Sequence, residues 1–499
     1  MASINVDFSV GQGAISSRLY GAGLEHVGAS VYGGFWTGPA RPGDESRSAP
    51  PVHIGWREDV LTLARALRPG ILRWPGGPFS QSYRWRDGVG PRGDRPLRFD
   101  HYWAKPEPNH VGTDEFLDLC RWIDAEPAIT VNTRSARPEE AAAWVEYCNG
   151  SMLTSAGALR LANGQPNPWN ARLWSVGSNN WDMGAPEAAR RHNLFARAMR
   201  GVDPGIELTA IGGNPSNQSE WDKVVIGQTA EQFRHLGVWA FDGVASVEGD
   251  NPEDLFHAHV ASAERILWTI SNAAYRLDEM MLNGGAYVGV DGWGIWKQSR
   301  QGLQHDYDMS DALIAATVLH GLHRLAPRVG YAAWGNLVNA LGLIQATERA
   351  CWATPVYHIM KMFRDLHGTE ATRCTVAGPA VAAPGGNSPV RSSRPPYKGM
   401  ALIDASASRD VARGRYTLSV VNRSFSDRHD VEIDVKGLPT GIGATSHLLR
   451  AESPFAANSA KEPRAIEPFV FPIGQIPREY PFPAHSVTVL IWEETPGLT

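Results

Sequence analysis

Residues Trp174–Gly184 read WSVGSNNWDMG, a short apolar run that ends in a polar, glycine-flanked loop. The run has the character of a buried strand, and in barrel or doubly wound α/β domains the loop after such a strand faces the active-site mouth. The loop offers Ser178, Asn179, Asn180 and Asp182, with Trp174 and Trp181 as flat apolar walls. Neighbouring amides hydrogen-bond a ligand but do not shuttle protons, so this loop is better suited to binding than to catalysis.

The same pattern recurs along the chain. Apolar runs ending in Gly, Asn or charge predict strands over Tyr20–His26, Gly70–Pro75, Ala128–Arg134, Leu173–Asn179, Glu207–Gly213, Gly243–Glu248, Ala286–Asp291 and Leu341–Ala346. Helical segments lie between them; in Ser310–Ala326, for instance, Ile314, Val318, Leu322 and Leu325 form one stripe and Pro327 ends the run. Eight strand–helix units predict a (β/α)8 TIM barrel over residues 19–370, with a doubly wound sheet as the weaker alternative. After Gly368 the helical period disappears. Residues 375–399 are rich in Pro, Gly and Ser and read as a loop, poorly ordered or connecting. Alternating strands then follow, so residues 371–499 with the strand in 1–18 predict a jelly-roll-like β-sandwich.

Composition narrows the class. With 43% hydrophobic residues, a net charge of −5 and no basic run, the chain reads as a soluble globular protein with no affinity for nucleic acid or anionic membrane. Its expected partner is a neutral small molecule. Four widely spaced cysteines and the absence of a leader-like or membrane-spanning run predict reduced thiols and a cytoplasmic location. His257 and His259 point apart on a helix, and His320 and His323 lack a third ligand, so all four read as packing or solvated residues and no metal or other cofactor is expected.

The densest cluster is ILRWPGGPFSQSYRWRDGVGP at 71–91, readable either as a glycine turn with internal ion pairs or as a binding loop. Together with GLEHVG (22–28), EPNHVGTDEF (107–116), ARPEEAAAWVEYCNG (136–150), the 174–184 stretch, VDGWGIW (290–296), YDMSDAL (307–313) and AHSVTVL (484–490), it closely resembles the α-L-arabinofuranosidases of glycoside hydrolase family 51. The resemblance implies a barrel with a β-sandwich and a homo-oligomer, often a hexamer.

It also implies a retaining mechanism with two carboxylates about 5–5.5 Å apart, and here the motifs depart. The family's Gly-Asn-Glu, which carries the acid/base, reads Gly177-Ser178-Asn179; its Asp-Glu-Trp, which carries the nucleophile, reads Asp291-Gly292-Trp293. Asn donates no proton at neutral pH and Gly offers no nucleophile. The family's asparagine after the paired glycines aligns with Pro78, and its histidine and tyrosine at the end of the sixth strand align with Val247 and Gly249. Glu25, Trp296 and Gln345 remain of the sugar site.

Changes at this many strand ends predict a repurposed site: non-hydrolytic chemistry such as cyclisation, elimination or isomerisation on a biosynthetic intermediate. The alternatives are a non-catalytic carbohydrate binder and an arabinofuranosidase whose activity is residual, relocated or inactivated. The candidate catalytic groups are Glu25, Glu248 and Asp291, with Asp250 beside them; His26, Arg73, Asn179, Asn180, Trp296 and Gln345 are the candidate binding groups.

Overall fold

The computed structural model describes residues 2–38, 52–214, 217–229, 232–280, 285–297, 303–390, 393–439, 441–475 and 478–494; the side chain of Asp250 lies outside this description. Eight parallel strands close a barrel. In chain order they are Gly21–Gly23, Ile71–Trp74, Glu126–Val131, Leu173–Val176, Glu207–Ile211, His235–Asp242, Tyr287–Ile295 and Val329–Trp334. The first to fifth and the seventh fall where the sequence predicts them.

The sixth and eighth do not. Gly243–Glu248 follows the sixth strand as a loop, because His235–Asp242 has already carried the chain to the mouth. The expected eighth strand instead belongs to a small side sheet, where Gly342–Ala346 pairs with Asn336–Val338 and Cys351–Ala353. Val329–Trp334 closes the barrel by pairing with both the seventh strand and Gly21–Gly23.

Below the barrel, Arg18 bridges the starts of the third and fifth strands, reaching Glu126 at 2.6 Å and Glu207 at 2.9 Å. The helix Met309–Arg324 is buried along its length. His320 lies 2.8 Å from Asp404, and His323 lies 2.7 Å from the Tyr20 hydroxyl and 3.1 Å from Ser406. Both histidines therefore tie the barrel to the C-terminal sheet.

That sheet has nine strands. The first strand of the chain, Ala2–Ala14, lies between Glu370–Ala377 (antiparallel) and His429–Lys436 (parallel). Ile4, Val6 and Phe8 point inward on alternate residues, as a half-buried strand requires. The sheet curls on itself: Tyr480, on one edge strand, donates to Ser446 near the other edge at 3.4 Å, and Phe8 packs edge-on against Trp492 at 5.9 Å.

Residues 375–399 are more than a connector. Ala380–Ala383 pairs with Tyr397–Ala401, and Asn387 forms a bridge with Ser246 beyond the sixth barrel strand. The buried Arg394 guanidinium binds the carboxylate of Asp242, the last residue of that strand. The described residues of this segment thus include a two-stranded sheet and an ion pair to the end of the sixth barrel strand.

Candidate active site

A cavity of about 230 Å³ opens at the C-terminal ends of the barrel strands, the face on which barrel enzymes carry their sites. Its lining includes Glu25, Asn179, Trp181, Trp239, Phe241, Trp296 and Asn336, with Pro78 and Val390 at the sides. Tyr102 and Trp103 reach it from the turn between the short paired strands Arg98–Asp100 and Lys105–Glu107.

Glu25 follows the first strand. Its Oε1 accepts from Arg73 Nη1 at 2.9 Å and from the Gly77 N–H at 2.7 Å, while its own backbone N–H donates to Asn336 Oδ1 at 2.8 Å. The paired glycines make this possible. A β-carbon at Gly76, where φ is +97°, would lie 2.1 Å from the Glu25 side chain. Burial pushes the Glu25 carboxyl above its ordinary range, and the Arg73 charge and the Gly77 N–H oppose the shift.

Arg73, on the second strand, is buried and shared. Its Nη2 donates to Ser178 Oγ at 3.0 Å, its Nε lies 3.6 Å from Asp291, and its guanidinium lies over the Trp239 ring at 5.1 Å. Asp291 accepts from the Tyr331 hydroxyl at 2.5 Å, and that hydroxyl also meets Thr209 at 3.0 Å. Burial raises the Asp291 carboxyl as well, against the Arg73 charge. Asp291 is not part of the cavity lining, so it belongs to the support beneath the site.

The Ser178–Asn180 loop holds a turned conformation. Asn179 has φ +53°, a left-handed geometry that asparagine tolerates better than most residues. Its Oδ1 accepts from Ser178 Oγ at 2.7 Å, which leaves the amide N–H groups for the cavity. Asn180 turns away and donates to Thr133 at 2.8 Å.

Several sequence-based expectations are corrected here. His26 is fully buried behind the mouth and stacks on Phe79 at 4.3 Å. Trp74 Nε1 can only donate, so His26 Nε2 accepts from it at 2.9 Å and Nδ1 carries the proton toward Glu107, 2.8 Å away. Gln345 is buried, donates to the Asn339 and Gly342 carbonyls, accepts from Gln304, and does not line the cavity. Glu248 is exposed on a short turn outside the lining. Val247 packs with Val244 and Ala258, and Gly249 is exposed.

At the end of the sixth strand the cavity meets Trp239 and Phe241 instead, and the sequence reading missed both. Their signal was available as alternation: residues 239 and 241 face one side of a strand that begins at His235. The two rings stack at 5.7 Å and pack against the neighbouring Gly292. A β-carbon at Gly292 would lie 2.7 Å from Trp239 and 3.1 Å from Phe241.

Comparison with known proteins agrees with this architecture. Residues 63–240 match the family model of the alpha-L-arabinofuranosidase 1 domain, and residues 291–486 match that of the alpha-L-arabinofuranosidase C-terminal domain. Alpha-L-arabinofuranosidase C of Emericella nidulans is 30% identical over 67% of this chain and 68% of its own. An intracellular exo-alpha-(1->5)-L-arabinofuranosidase of Bifidobacterium longum is 28% identical over 91% of this chain and 85% of its own. The thermostable family 51 α-L-arabinofuranosidase of Thermotoga petrophila RKU-1 superposes with a TM-score of 0.89 at 28% identity, covering 98% of this chain and all of that one. With both halves of the chain matched and the barrel and sheet arranged alike, this protein belongs to the α-L-arabinofuranosidases of glycoside hydrolase family 51.

Proposed function

We propose that the barrel mouth acts on a small glycoside and that Glu25, rather than a pair of carboxylates, is the group that moves protons there. The relatives' names support the substrate class: they are arabinofuranosidases, in one case an intracellular enzyme that removes terminal units. The carrying observation is at Gly292, where Trp239 and Phe241 occupy the space next to the α-carbon. Asn179 and Gly292 stand where the motifs place the two glutamates, so double displacement through a glycosyl-enzyme has neither its acid nor its nucleophile. Glu25 is the one carboxylate in the described lining. Burial raises its carboxyl above the ordinary carboxylate range, which favours its taking up and holding a proton, and the Arg73 charge opposes that shift.

The test is turnover of an activated aryl α-L-arabinofuranoside, alone and with azide or formate, by the parent and by Glu25→Gln. Slow turnover that Glu25→Gln abolishes, and that azide does not accelerate because the aromatic rings fill the nucleophile's place, supports the proposal. Fast turnover that survives Glu25→Gln overturns it.

Non-hydrolytic chemistry on a less hydroxylated intermediate is the second reading. The apolar wall of Trp239, Phe241, Trp296 and Val390 favours it. Inertness toward every glycoside, combined with turnover of such an intermediate, would select it. A cytoplasmic setting is consistent with the relatives named intracellular.

A further inference from the structure

Tyr102, Trp103, Trp181, Trp239, Phe241 and Trp296 all face the cavity, and the described lining holds a single carboxylate. Phe241 packs against Trp239 at 26° and against Trp296 at 84°, so these three rings form a corner. We infer that this pocket selects a small ring bearing a positive charge, held by the Glu25 carboxylate within the aromatic walls. The inference rests on the reading that the mouth, with Glu25, is the ligand site.

Three observations carry it. The first is the supply of hydrogen-bonding partners. Asn336 spends its amide on the Glu25 backbone and the Ala340 carbonyl. Arg73 is buried and engaged with Glu25 and Ser178. The side-chain groups that remain for a ligand are the Glu25 oxygen not engaged by Arg73 and Gly77, the Asn179 amide, the Tyr102 hydroxyl and the indole N–H groups of Trp103, Trp239 and Trp296, a set in which only the Glu25 oxygen and the Tyr102 hydroxyl are free acceptors. A furanose with several buried hydroxyls would leave some of them unmet, at a cost of about 1–3 kcal/mol each. An ammonium on an otherwise apolar ring needs only one strong acceptor.

The second is charge. Beneath the cavity, Glu25 and Asp291 face one guanidinium, Arg73, so two carboxylates share a single compensating cation. A bound cation supplies the missing counter-charge. The third is the walls, since aromatic faces attract cations through their ring quadrupoles, most strongly when desolvated. The same features would stabilise the positive charge that grows on a sugar ring during glycoside cleavage. At about 230 Å³ the cavity admits one small ring.

The test uses an isosteric pair, pyrrolidinium and tetrahydrofuran, with L-arabinose as the polyol, titrated at pH 7 into the full chain and followed by ligand-observed NMR. The expected result is that pyrrolidinium binds at least tenfold tighter than tetrahydrofuran and than arabinose. Glu25→Gln, which retains the acceptor for Arg73 and Gly77, should abolish that preference. Trp296→Leu should weaken pyrrolidinium several-fold; both variants are checked for an unchanged thermal transition. Equal binding of the charged and neutral rings overturns the inference, as does tighter binding of arabinose, while either outcome leaves the mouth as the ligand site. If none of the three probes binds, the inference and the reading beneath it both fail.

Discussion

The first and second barrel strands bring Glu25 and Arg73 to the mouth, where Arg73 Nη1 and Nη2 are spent on Glu25 and Ser178, Glu25 also takes the Gly77 N–H, and Arg73 Nε is left at ion-pair distance from Asp291. The sixth and seventh strands bring Trp239, Phe241 and Gly292, a surface without a titratable group. The two sides are in contact, because the Arg73 guanidinium lies over the Trp239 ring. The difference teaches that a barrel mouth can change its chemistry one strand pair at a time. Strands supply rigid positions, and what each position carries is independent of barrel closure.

The polar side depends most on Arg73. Arg73→Met leaves Glu25 and Asp291 buried without a counter-charge and should cost about 3–5 kcal/mol in urea denaturation at pH 7. Both carboxyls are already raised by burial. For such groups the folded state holds the proton more tightly than the unfolded state, so the stability they confer is present below the ordinary carboxylate pKa and is lost as pH rises through the folded value. The Arg73→Met deficit should therefore shrink on going from pH 7 to pH 5. A deficit below about 1 kcal/mol at both pH values would show that the pair is not the polar side's support.

Next in size is Tyr331→Phe, which removes the hydroxyl that donates to Asp291 at 2.5 Å. A bond to a charged acceptor is worth about 1.5–3 kcal/mol, and the loss should appear in the same denaturation experiment. No change would mean that Asp291 is held only by Arg73 and by the Ser175 hydroxyl, which donates to it at 3.4 Å.

On the apolar side, Gly292→Glu drives a side chain into Trp239 and Phe241. Overpacking of this kind costs about 1–3 kcal/mol. Combined with Trp239→Ala, which opens the space, the two changes should be less destabilising than their sum. Strict additivity would disconnect Gly292 from the aromatic wall. The smallest effect is expected at Arg134 and Asp182, whose 2.7 Å bond joins two exposed side chains at the rim. Arg134→Ala should change stability by less than about 1 kcal/mol and leave ligand affinity unaltered.

Strand ends announced by Gly, Asn or charge were legible from sequence; of the residues named there, Glu25, Asn179 and Trp296 line the cavity, Arg73 lies behind Glu25, and Asn180 turns away to Thr133. Two strands were missed for a physical reason. Val329–Trp334 is mostly buried, so no polar alternation marks it, while Leu341–Ala346 has the same apolar character in a side sheet. The sixth strand was displaced because Gly243–Glu248 is a short run that ends in charge, the signal used for a strand end, although the strand itself ends at Asp242. That shift by one segment concealed Trp239 and Phe241 and put Val247 and Glu248 at the mouth, although neither lines the cavity. Periodicity also could not decide between Glu25 and His26, adjacent residues that a strand points to opposite sides.

The position of the first strand has a consequence for synthesis on the ribosome. Ala2–Ala14 leaves the exit tunnel before the barrel strands, yet its antiparallel partner begins at Glu370 and its parallel partner at His429. At about 5–20 residues per second, Ile4, Val6 and Phe8 wait roughly 20–70 s for the first of these partners. The nine-stranded sheet therefore assembles after the barrel strands have been made, and the nascent Ala2–Ala14 segment must be kept from other strands until then.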